Sequence, residues 1–170
     1  MGMTPEWYLE AFVEPNLFDC QEQPGDVRRA FNAAVSANSF ADHYFKYQKR
    51  HRPDAVQTFA KIGQFRGYLV KEIQGAFRDI QSIANVYKHL YSIDSPSFRY
   101  ETFSSCGAIE SLQIADDENL AEIAEDYFDT GEHEGRAAVI FTRKDGSKAE
   151  FVPKLEKVVG LFLDIVYQNA

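Results

Sequence analysis

The strongest constraint in the chain is the run from Asp26 to Pro53. Val27, Phe31, Ala34, Val35, Ala41, Tyr44 and Phe45 recur near the 3.6-residue spacing of an α-helix. Asp26 stands where a capping side chain belongs, and Pro53 forbids continuation. A helix is therefore predicted over roughly Val27 to Arg50, with Asn32, Ser36, Ser39, His43 and Tyr47 on its polar side. Such a helix needs other elements to cover its apolar side, and that requirement sets the plan of the rest.

The helix before it is announced by Thr4 as cap, Pro5 at the first helical position and Glu6 in the first turn. Trp7, Tyr8, Phe12 and Val13 give it an apolar side, and Pro15 is expected to end it, with a loop through Cys20 to Pro24-Gly25. Asp54 is expected to cap a third helix through Val56, Phe59, Ile62, Phe65, Leu69 and Ile73. Beyond Gln74-Gly75 a fourth runs from about Ala76 to Tyr91, with Phe77, Ile80, Ile83, Ala84, Tyr87 and Leu90 on its core face.

The second half changes character. Phe98 to Phe103 alternates with period two and reads as a strand, and Ala108 to Ile114 as another. Asp116-Asp117-Glu118 opens a stretch with helical spacing at Leu120, Ile123, Ala124 and Tyr127. Asp145-Gly146, between the β-prone runs Ala137 to Arg143 and Ser147 to Val152, predicts a hairpin with a type I′ turn. Pro153 then leads into a closing helix through Leu155, Val158, Val159, Phe162, Leu163, Ile165 and Val166. The expected class is α+β: a bundle of about four helices, a small antiparallel sheet, and a C-terminal helix packing back on the bundle. One domain, 1–170, is expected, with a helical body 1–93, an acidic insert-like segment 94–135, and the hairpin and closing helix 136–170.

Charge supports that division. The 170 residues carry a net −8. Residues 101–135 hold 11 acids and no lysine or arginine, whereas 1–100 are near neutral and 136–170 slightly basic. The global figure therefore argues only mildly against nucleic acid. Cys20 and Cys106 are too sparse for a disulfide scaffold or a four-cysteine zinc site. No run approaches the roughly 18 apolar residues of a membrane span. The segment Met1 to Glu6 lacks the basic and apolar regions of a signal peptide, so a cytoplasmic location is expected.

The polar residues offer one line of interest. Arg78, Ser82, Asn85 and His89 stack along one face of the fourth helix, flanked by Asp79 and Lys88. An arginine, an asparagine and a histidine in line can hold a phosphate and place a base that works near neutral pH. The same residues read first as the exposed side of an amphipathic helix, with Asn85 bonding to the next helix and His89 favoured by the dipole at the C-terminal end. On the second helix Asn32, Ser39 and His43 would share a cleft with them if the polar sides face each other. The histidines, His43, His51, His89 and His133, have no metal-ligand spacing, and Glu132-His133-Glu134 reads as a solvated acidic turn; no metal and no cofactor is expected. Lys46, Lys49, Arg50 and Arg52 form a basic helix end that the macrodipole alone would favour. No nucleophile-elbow, phosphate-loop or dinucleotide glycine motif occurs.

Three pieces carry a resemblance: Arg28 to Ala34, Arg78-Asp79-Ile80 with Ile83 to His89, and Asp145-Gly146 leading to Phe151 and the last apolar run. Together they resemble a group of small uncharacterised bacterial and phage proteins of similar length, and the helical body resembles HEPN-like domains. Some of those domains are ribonucleases of toxin–antitoxin and defence systems. Their signature places an arginine and a polar residue four to six positions before the histidine; here Arg78 is eleven before His89, and Ala84 precedes Asn85. The resemblance implies a metal-independent ribonuclease with His89 as base or positioning group and Arg78 on the phosphate.

Enzyme and binding protein both remain open on these residues. The leading expectation is a non-enzymatic interaction protein, with Asn32, His43, Arg78, Asn85, Lys88 and His89 as its binding residues. Its partner would be another protein or a second copy of the chain, since 14 Phe and 9 Tyr leave room for an apolar interface. Nucleic acid is a lesser candidate and a membrane is not expected.

Overall fold

The computed structural model describes residues 3–89, 108–114 and 136–167. Its first helix, α1, is made of Pro5–Tyr8, a π-helical turn Leu9–Val13 and Glu14–Glu22 in one continuous run. Thr4 caps it, its hydroxyl accepting from the Trp7 N–H at 3.2 Å. The expectation that Pro15 ends this helix is corrected. A proline breaks an α-helix because its ring meets the carbonyl four residues back. Here the preceding turn is π-wound, with the Glu14 N–H donating five residues back to Leu9, so the chain carries Pro15 and Cys20 within the helix.

The long helix α2 spans Val27–His51, and Asp26 caps it by accepting from the N–H groups of Arg28 and Arg29 at 2.9 and 3.2 Å. The third helix starts later than expected. Pro53–Val56 is a single 3₁₀ turn, and α3 itself spans Ile62–Glu72, still using Phe65 and Leu69 as buried positions. A three-residue turn, Ile73 to Gly75, separates it from α4, Ala76–His89. Gln74 (φ 50°) and Gly75 (φ 88°) are left-handed, and the Gly75 N–H returns to the Val70 carbonyl at 2.8 Å. This Schellman arrangement ends α3 and reverses the chain.

The stack of Phe31 on Tyr87, 4.8 Å between ring centres, sets the end of α4 beside the start of α2. The two helices therefore run antiparallel. The closing helix α5, Phe151–Tyr167, packs back on the bundle as expected. Phe162 meets Phe40 of α2 at 4.5 Å and Phe77 of α4 at 6.1 Å, and all three rings are fully buried. That triad is the centre of the core.

The sheet is antiparallel in the order β1 (Ile109–Ile114), β2 (Arg136–Thr142), β3 (Lys148–Glu150), with Ile109 opposite Phe141 and Ile140 opposite Glu150. Two expectations about the hairpin are corrected. The second strand stops at Glu150, because Phe151 and Val152 already belong to α5. The turn is not type I′, which needs two left-handed residues: only Gly146, at φ 85°, is left-handed. The Gly146 N–H donates to the Arg143 carbonyl at 2.9 Å and the Arg143 N–H to the Ser147 carbonyl at 2.8 Å, the pattern of a three-residue loop with a glycine bulge. β3 is short, and the α1–α2 loop stands alongside β2 where it ends, with the Val139 N–H donating to the Pro24 carbonyl at 2.8 Å. Gly25 is required there, since a Cβ would lie 2.5 Å from that of Ala137. The strand expected over Phe98 to Phe103 and the helical spacing from Leu120 to Tyr127 lie outside the described residues.

Candidate functional site

The polar line on α4 does not stay on one surface. Arg78 is exposed, Ser82 is fully buried and Asn85 is half-buried, so the line runs from solvent into the body. Asp79, read from sequence as a flank of that line, turns the other way. It is buried and accepts two bonds from Arg143, Nε at 3.1 Å and Nη2 at 2.7 Å, pinning the hairpin to α4. Arg143 also donates to Ser147 Oγ at 3.1 Å and stands over the Phe141 ring at 5.2 Å. At the start of α4, Arg78 and Lys71 flank an open cleft of about 430 Å³, completed by Gly67, Val70, Gln74 and Gly75. Two cations there can attract an anion, but the lining holds no hydroxyl, thiol, carboxylate or imidazole.

The candidates on α2 are split. Asn32 is exposed next to Phe31, hence at the end of the body that also holds Asn85, Lys88 and His89. His43 is eleven residues further along α2, about 16 Å at 1.5 Å per residue. Its ring stacks on Tyr8 of α1 at 5.1 Å and lies 6.2 Å from Tyr47, with its Nε2 buried and unpaired among the described residues. The stretch of that polar side around Ser39 and His43 is thus covered by α1, whereas Asn32 is not. Tyr8 is held there by Ser39, and burial pushes its phenol above the ordinary value although that bond opposes the shift. His43 and the end of α4 are not brought together.

Sequence reasoning missed a different feature. The apolar side of α1 was read from Trp7, Tyr8, Phe12 and Val13, but only Val13 of these is fully buried, alongside Leu9 and Cys20. Trp7 is 49% exposed, Phe12 40% and Phe18 60%. Trp7, Ala11 and Pro15 follow one another along the outward line of the helix, all exposed, with Phe12 on one shoulder and Phe18 on the other. The π turn creates this grouping. By admitting one extra residue per turn it brings Phe12, five positions on, edge-to-face against Trp7 at 5.5 Å. The readable signal was that α1 has apolar residues on two sides, while one suffices for a helix lying on a core.

The same helix carries Glu6, Glu10, Glu14, Asp19 and Glu22, and no lysine or arginine occurs before Arg28. The Tyr167 hydroxyl of α5 donates to Glu10 at 2.9 Å, and its phenol is raised by that bond and by the charges of Glu10, Glu14 and Glu6. The Cys20 thiol, by contrast, is buried in the core and pushed up to about 12, mainly by burial and then by Asp19, which disfavours the thiolate. Among the described residues no three His, Cys, Asp or Glu side chains gather to hold a metal ion, and no helix is long and apolar enough to cross a membrane. No family model, curated protein or solved structure matches the chain.

Proposed function

We propose that the protein works by binding another protein, with the outward side of α1 as its docking face. The observation that carries this reading is the exposure of Trp7, Phe12 and Phe18 on one helix. A single exposed aromatic is ordinary, but a run of them on a helix already buried along its other side marks an interaction surface. Trp is among the residues that dominate interface energies, because a rigid ring removes much apolar area from water at low entropic cost. Asn85, Lys88 and His89, with Asn32 at the same end of the body, and Arg78 three turns away at the start of α4, lie off that face and take no part in this docking.

The test is a pull-down with Trp7→Ser/Phe18→Ser beside Arg78→Ala/His89→Ala. Loss of captured partners with the first pair, and retention with the second, is the expected result; retention with both would contradict the reading. The alternative, a metal-independent ribonuclease of HEPN type, draws support from the two cations at the Arg78 cleft. Against it, Arg78 and His89 lie three turns apart on α4, about 16 Å along the axis, too far to serve one phosphodiester within a single chain. RNA cleavage by the purified protein, unaffected by chelator and lost in His89→Ala, would restore that alternative.

A further inference from the structure

α1 and α5 meet along a seam that is fastened at its ends and open in the middle. At one end the Tyr167 hydroxyl donates to Glu10; at the other the Gln21 amide donates to Glu156 at 2.8 Å. The helices are therefore antiparallel, and the residues between share one face on each side: Glu14 and Leu17 on α1, Leu163 and Gly160 on α5, all at helical spacing. Leu17 and Leu163 are half-buried, and Gly160 is exposed with nothing within 4 Å of where a Cβ would stand. The result is a strip about three turns long, with half-buried Leu17 and Leu163, open space above Gly160, and exposed rings of Phe18 and Tyr167 toward its ends. Its rim is acidic: Glu10, Glu14 and Glu156, with no base on α1. On α5, exposed Lys157 and Asp164 also border Gly160, three and four residues away, and their charges offset each other, so the strip keeps a net acidic edge.

We infer that this seam is a docking strip for a cationic amphipathic helix of a partner protein. The inference rests on reading α1 as the docking face and adds the chemical class of what docks. Apolar side chains of such a helix would settle over Gly160 between Leu17 and Leu163, and its lysines or arginines would reach the rim carboxylates. Charge selects this occupant over the others. An isologous contact between two copies would set Glu10, Glu14 and Glu156 against the same three residues across the two-fold axis. An anionic lipid surface would meet the same repulsion.

The test is fluorescence anisotropy with the full chain and two labelled probes, a four-turn leucine–lysine helix and its leucine–glutamate counterpart. The lysine probe binds and the glutamate probe does not, and binding weakens about tenfold or more from low to high salt. Gly160→Leu separates packing from folding: the new side chain fills the open space while improving helix propensity, so Tm rises or holds while affinity falls about tenfold. Glu14→Lys lowers affinity as well. Equal binding of both probes, or full affinity in Gly160→Leu, overturns the docking strip. So does concentration-dependent dimerisation in sedimentation that Gly160→Leu abolishes, since the occupant would then be a second copy. If the lysine probe binds through Trp7 and Phe18 but ignores Gly160, the docking face stands and the strip fails; if no probe binds and Trp7→Ser/Phe18→Ser leaves partner capture unchanged, both fail.

Discussion

Gln74 holds a conformation that suits glycine. At φ 50° it sits at the left-handed position ending α3, where a Cβ crowds the neighbouring carbonyl by roughly 1–2 kcal/mol. Gln74→Gly is expected to raise stability by about 0.5–1 kcal/mol in urea unfolding, the relief being partly offset by greater freedom of the unfolded chain. Gly75→Ala, at φ 88°, is expected to lower it by about 1 kcal/mol. Two carboxylates link stability to pH. The Arg29 N–H, then that of Arg28, holds Asp26 below its ordinary value; the Ser147 hydroxyl, then its N–H, does the same for Asp145. A lowered folded value means the contribution is complete above the ordinary value of 3.8 and lost as pH falls below it. Asp26→Asn/Asp145→Asn should flatten the acid side of the stability–pH curve, and an unchanged slope would contradict this. These sites were legible because each is local: a cap followed by its helix, a Gln-Gly break, an Asp-Gly turn.

The elements were legible where their signals were local and misread where they depended on neighbours. Asp26 and Pro53 bound α2 within a residue or two of its observed ends, since cap and proline act on the backbone beside them. Pro15 was misread because the π turn that accommodates it has no compositional mark, and the aromatic grouping of Trp7 with Phe12 went unseen for the same reason. The turn type failed because Asp-Gly suits both a two-residue loop and a three-residue loop with a bulge. The Asp79–Arg143 pair joins residues 64 apart, and no local pattern announces it. Asp79→Ala strands a partly buried guanidinium and should cost about 2–4 kcal/mol. Asp79→Leu/Arg143→Met, which removes both charges, should recover most of that loss; a double variant as unstable as the single would show that the pair is not what matters there.

At the scale of the molecule, the α+β plan followed from the helical spacing of the first half and the hairpin of the second. The candidate site followed much less. The polar line on α4 was visible as a line, but its passage from exposed Arg78 to buried Ser82 and the 16 Å between Asn32 and His43 depend on how helices are rotated against one another. The docking face has a similar origin: whether Trp7 and Phe18 point inward or outward is decided by the rotation of α1 on α2 and α5. Trp7 is the single tryptophan of the chain, so its environment can be read without labelling. Acrylamide quenching of Trp7 fluorescence over a range of protein concentrations is the most direct measurement. An aromatic face open to a partner predicts strong quenching at every concentration and protection when a docking helix is added. Weak quenching in the protein alone, or quenching that fades as concentration rises, would mean that the face is already covered.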